Sequence, residues 1–188
     1  MPVRIIGCGN IDRGDDGAGL LVARRLREMG TGTQEQSGEA LSLIESWAGA
    51  EAVIVVDAVV SGKAPGKITV WDARAHPVSS GLWRGSTHHF GLAEAVELAR
   101  VLDRLPPRLW IYGIEGRRFE QGSCPSPEVT RAIEEVAERI ARGVTPLNSH
   151  SVGADGRVFW AWLILALVRL HRTACIPLSS HPVLHSVG

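Results

Sequence analysis

The chain lacks an excess of charge: 20 Lys and Arg balance 20 Asp and Glu over 188 residues, and the isoelectric point is near 7.1. No broad cationic field is present to gather nucleic-acid phosphates or anionic lipid, so neither is an expected partner. Cysteine is scarce too. Cys8, Cys124 and Cys175 form an odd set without a CxxC spacing, which argues against a disulfide framework and a thiolate zinc site and fits a reducing, cytoplasmic setting. Long apolar runs are missing. The longest, Val158 to Val168, falls short of the roughly 18 residues a membrane-spanning helix needs. The first run meets Gly, Asn and Asp too early for a signal peptide, so neither export nor a membrane span is expected. The G-x-S-x-G elbow, the H-E-x-x-H helix and the P-loop are absent as well.

What is present suits one well-buried domain, with 45% hydrophobic and 21% charged residues. Val3 to Gly7 predicts a strand that enters a glycine-rich turn, and Ala18, Val22, Leu26 and Met29 follow at helical spacing. Ala40 to Trp47 predicts a second helix. Ala52 to Asp57 is a continuous β-branched run of the kind buried on both faces of a parallel sheet. Lys67 to Trp71 alternates, which predicts a half-exposed edge strand antiparallel to its predecessor. Gly91 to Arg104 predicts a helix with Leu92, Val96, Ala99 and Leu102 inward, and Leu109 to Ile114 a further strand. Ser126 and Pro127 open a last helix, with Val129, Ile133, Val136 and Ile140 on its inward stripe. Strands alternating with helices make the class α/β. After Thr145 the composition shifts to Ser, His, Leu and Arg, so residues 1–144 are expected to form the domain and 145–188 an extension without an assigned role.

Chemistry concentrates at three places. The loop Gly7-Cys8-Gly9-Asn10-Ile11-Asp12-Arg13-Gly14-Asp15-Asp16-Gly17 has Asp12 where a dinucleotide-binding turn needs its third glycine. Asp15 and Asp16 would repel a phosphate at the helix start, so the loop suits a cation better than an anion. Capping of the helix is the preferred role for Asp15, and metal ligation for Asp16. Asp57, read as the end of its strand, follows four apolar residues, where an ionised carboxylate needs a partner. His88 and His89 lie in a loop that can reach the same rim of the sheet, and because adjacent side chains point in different directions, one of the two is expected to face the site. Two carboxylates and an imidazole suit a divalent transition metal with open positions, without selecting nickel over zinc, iron or manganese. Cys8 reads as a small buried thiol, and the tryptophans as packing.

These segments together resemble the hydrogenase maturation proteases. The resemblance runs from Val3 to Arg142 and rests on Gly7-Cys8-Gly9-Asn10 with Gly14-Asp15-Asp16-Gly17, Val56-Asp57-Ala58, Pro65-Gly66, Ser86-Thr87-His88 before Phe90-Gly91-Leu92, and Ile114-Glu115-Gly116 ahead of Ser126-Pro127. It implies a twisted, mainly parallel sheet of about five strands with helices on both faces. It implies metal ligation by Asp16, Asp57 and His88, with Asp16 or Asp57 as catalytic base. The acidic position is often Glu in the family, so Asp16 reaches one methylene less far. The implied activity is removal of a C-terminal extension from the nickel-loaded large-subunit precursor of a nickel-iron hydrogenase, the nickel arriving with that precursor. A non-catalytic metal-checkpoint or chaperone domain that binds the loaded subunit is the alternative.

Overall fold

The run Ala52–Val59 forms the central strand, and all eight of its residues are buried. Burying each Val or Ile side chain contributes roughly 1.5–3 kcal/mol, which draws the flanking elements onto both faces. The computed structural model describes residues 3–78 and 91–143. Along the chain these form β1 (Arg4–Cys8), a 3-10 turn (Gly14–Gly17), α1 (Ala18–Glu28), β2 (Gln34–Gln36), α2 (Ala40–Ser46), β3 (Ala52–Val59), β4 (Ile68–Asp72), α3 (Leu92–Val101), β5 (Arg108–Glu115) and α4 (Pro127–Ala141). The expected boundary between a domain and an extension at residues 144 and 145 lies outside the described residues.

The five strands make one sheet in the order β2-β1-β3-β5-β4, parallel except for the β4–β5 pair. On one face α2 and α3 cover Ile6, Val53, Val55, Leu109 and Ile111. On the other, α1 and α4 cover Ile5, Ile54, Val56, Tyr112 and Ile114. The inward stripe of α4 is as its spacing predicts: Val129, Ile133, Val136 and Ile140 are buried, while Glu134, Glu135 and Glu138 are exposed. Met29 and Leu102 depart from expectation. They are 43% and 51% exposed because α1 ends at Glu28 and α3 at Val101, before either side chain can turn inward.

β4 is an antiparallel edge strand, as its alternation predicts, but its partner is β5 rather than β3. Both edges of β3 are occupied by parallel strands, β1 and β5. The segment between β3 and β4 therefore crosses the end of β5, and Glu115, buried at the last position of β5, holds that crossing. Its Oε1 accepts the N–H groups of Ser61, Gly62 and Lys63 at 2.7, 2.8 and 3.2 Å, and its Oε2 accepts the Ser61 hydroxyl at 2.6 Å.

Candidate active site

The chain leaves β1 through α1 to β2 on one side and returns through α2 to β3 on the other. The carboxyl ends of β1 and β3 thus flank the point where the strand order reverses, the place where an open α/β sheet collects ligands. The glycines of the loop serve close packing there. A Cβ on Gly19 would stand 2.2 Å from the Val56 carbonyl oxygen and 2.3 Å from that of Cys8, so only a glycine lets α1 lie this near both strands. Gly9, at φ +132°, brings the turn back until the Asn10 N–H donates to the Asp16 carbonyl at 3.3 Å.

Asp16 lies in the 3-10 turn and Asp57 in β3, both buried. Asp57 does not end its strand: β3 continues through Ala58 and Val59, which keep their pairing with β5. By strand alternation its side chain shares the face of Val53 and Val55, beneath α2 and α3. Burial pushes the Asp57 carboxyl up to about 7, the charge of Asp16 adds to the rise, and the Ala58 N–H, donating to Oδ1 at 2.8 Å, opposes it. The structure thus brings these two carboxylates into one low-dielectric crevice. The charge of Asp16 opposes ionisation of Asp57, and a divalent cation would relieve that opposition. Cys8 is fully buried at the end of β1, and burial, with Asp57 adding, holds its thiol well above the ordinary value. It is the inert thiol expected.

Asp15 does not cap the first helix. Neither the 3-10 turn nor α1 has a side-chain cap. The Asp15 carboxylate turns instead to the loop after β5. Oδ2 accepts the N–H groups of Arg117 and Arg118, each at 2.9 Å, and the Ser126 hydroxyl at 3.1 Å, while Oδ1 accepts the Ser126 N–H at 2.5 Å. Burial alone would raise its pKa, but these donors outweigh burial and lower it. Ser126 occupies the N-cap of α4 with Pro127 behind it as expected, yet its hydroxyl serves Asp15 rather than the helix. Backbone bonds complete the clasp: the N–H of Gly14 donates to Ser123, that of Asp15 to Arg118, and that of Gly122 to Asp12, at 3.1, 2.8 and 2.7 Å. Spacing could not show this role, because its donors are main-chain groups about a hundred positions away.

His88 and His89 lie outside the described residues. Among the described residues no group of three or more His, Cys, Asp or Glu side chains is arranged to hold a metal ion. Asp16 and Asp57 amount to two of the three ligands expected, and their oxygen donors suit a divalent cation that keeps open positions. A shallow cavity of about 360 Å³, lined by Trp47, Glu51, Arg104 and Pro106 among others, lies where β3 and β5 begin, at the opposite end of the sheet. No described helix is long and apolar enough to cross a membrane.

Comparison with known proteins gives the family of the chain. The family model for hydrogenase maturation proteases matches residues 28–143. Protein FrxA of Pyrococcus furiosus is 32% identical over 129 residues, 68% of this chain and 93% of its own length. The hydrogenase expression/formation protein HoxM of Azotobacter vinelandii is 28% identical over 144 residues, 74% of this chain and 70% of its own. Among solved structures, the [NiFe] hydrogenase maturation protease HybD from Thermococcus kodakarensis superposes with a TM-score of 0.60 at 26% identity, covering 78% of this chain and all of that one. With most of the described domain inside the family match and the same mainly parallel sheet in a solved relative, the chain belongs to the hydrogenase maturation protease family and is a peptidase.

Proposed function

We propose that this peptidase removes a C-terminal extension from the large-subunit precursor of a nickel-iron hydrogenase, in the cytoplasm, and that it acts on the precursor once nickel is loaded. The observation that carries the reading is the pairing of the buried Asp16 and Asp57 at the switch crevice, where the charge of Asp16 opposes ionisation of Asp57. A divalent ion presented by the precursor supplies the further positive charge that lets Asp57 ionise beside Asp16. Asp16, Asp57 and His88 hold that ion, so a loaded precursor binds more tightly than an empty one, and this differential affinity makes a checkpoint. Asp16 or Asp57 takes the proton of the attacking water as general base.

The test is incubation of the full chain with nickel-loaded and nickel-free precursor, followed by mass measurement of the precursor's C-terminus. Loss of a C-terminal segment from the loaded form alone is the expected result. A precursor left whole in both states overturns the processing reading, and equal cutting of both states overturns the metal checkpoint.

A further inference from the structure

Arg13 opens the turn that carries Asp16, and its guanidinium stands where the glycine loop meets the loop after β5. Nη2 donates to the Phe119 carbonyl at 3.1 Å, and Nη1 lies 3.9 Å from Asp16 Oδ2. The backbone around it is held as firmly: its N–H donates to the Asn10 carbonyl at 3.2 Å, its carbonyl accepts the Asp16 N–H at 3.1 Å, and the Gly14 N–H donates to Ser123 at 3.1 Å. The side chain is 21% exposed, so one edge remains open to an incoming molecule. A separation of 3.9 Å is too long for a direct hydrogen bond. It is an ion-pair distance, so Nη1 carries its charge beside Asp16 without donating to that carboxylate.

We propose that Arg13 is a catalytic residue of this peptidase, its Nη1 donating to the carbonyl oxygen of the scissile peptide bond and stabilising the oxyanion that forms there. Water adds to the carbonyl carbon, a C–O bond forms, and the π electron pair of the C=O bond moves onto its oxygen beside Arg13. The water's proton passes to the Asp16–Asp57 pair. When the oxyanion collapses, the C=O bond re-forms, the C–N bond breaks and the proton returns to the departing amine. An arginine suits this place because it stays protonated beside carboxylates, and because the Phe119 carbonyl orients it before the charge develops. The inference rests on the processing reading above.

The experiment compares the full chain with its R13M and R13K variants on nickel-loaded precursor. It measures single-turnover cleavage across pH, precursor affinity and thermal unfolding. R13M is expected to slow cleavage about 100- to 1000-fold, with affinity within about twofold and the acid limb of the pH profile in place. R13K is expected to recover part of the rate. Cleavage by R13M at close to the wild-type rate overturns the proposal, as does a loss that appears in affinity instead of rate. An acid limb that moves, with the full rate regained at another pH, shows that Arg13 only balances the charge of the acids and also overturns it. If R13M does not fold, R13K carries the test: an intermediate rate at unchanged affinity supports the role, and the wild-type rate refutes it. A wild-type chain that leaves the precursor whole overturns the processing reading itself, which separates the two failures.

Discussion

Asp57 keeps its proton up to about pH 7 because β3 buries it and the charge of Asp16 lies close by, across the crevice between β1 and β3. The two residues are brought together by the sheet order, which makes β1 and β3 neighbours although α1, β2 and α2 separate them in sequence. Natural folds keep buried carboxylates apart or pair them with cations, since their mutual repulsion costs stability. Arg13, 3.9 Å from Asp16, offsets part of that cost, and a divalent cation at this end of the sheet would offset more.

The pH dependence of stability follows from this pair. An unfolded Asp ionises near pH 4, whereas native Asp57 ionises at about 7, so between these values the native state binds a proton that the unfolded state has released. Stability therefore falls as pH rises through that window, by on the order of a few kcal/mol, and this contribution is flat above it. Urea unfolding of the metal-free chain from pH 4 to 8 should show the decline, and Asp57→Asn should remove it. Identical pH slopes in the two proteins would refute the assignment.

Processing should depend on each expected ligand separately. Asp16→Asn, Asp57→Asn and His88→Ala should each abolish cleavage of the loaded precursor while circular dichroism and melting show a folded chain, and His89→Ala should be milder. Losing one ligand typically costs far more affinity than a change in its surroundings. Full cleavage by any of the three variants removes that residue from the site.

Asp15 should matter chiefly to stability. Asp15→Ala strips an acceptor from the buried Ser126 N–H and from the N–H groups of Arg117 and Arg118, at about 1–3 kcal/mol for each buried donor left without a partner. The expected outcome is a much lower unfolding midpoint in urea. Because the Asp15 pKa is lowered, its contribution is complete above the ordinary carboxyl range and fades as the pH drops below it, the opposite sense to Asp57. A variant as stable as the parent at neutral pH would contradict the clasp.

Gly19→Ala tests the close approach of α1. The added methyl would lie 2.2 Å from one carbonyl oxygen and 2.3 Å from another, both on backbone that cannot swing aside, so α1 must move off the sheet. Overpacking of this kind costs about 1–3 kcal/mol or more. Since the turn carrying Asp16 leads directly into α1, cleavage should weaken together with the melting temperature. Unaltered melting would show that the helix has slack the packing does not suggest.

Much of the architecture was legible in the residues. The run at Ala52–Asp57 announced a central parallel strand because only a strand covered on both faces tolerates uninterrupted β-branched side chains. The stripe of α4 and its Ser126-Pro127 start were equally plain, since helix period and helix entry are local properties. β2 was not: Gln34–Gln36 is three polar residues, a strand only because β1 offers it a free edge to pair with. The partner of β4 was beyond local reading as well, because β5, which comes later in the chain, inserts between β3 and β4.

The site divides in the same way. By itself the sequence determined which acids stand in the glycine loop and in the central strand, and that the loop suits a cation better than a phosphate, because charge belongs to each residue alone. Only the tertiary structure decided that Asp16 and Asp57 share one crevice, that Asp15 clasps the loop after β5 instead of capping a helix, and that Arg13 is anchored by Phe119 beside Asp16. Those relations depend on which strands become neighbours and on main-chain donors far away in sequence, and the contacts that settle both form between segments that no local spacing connects.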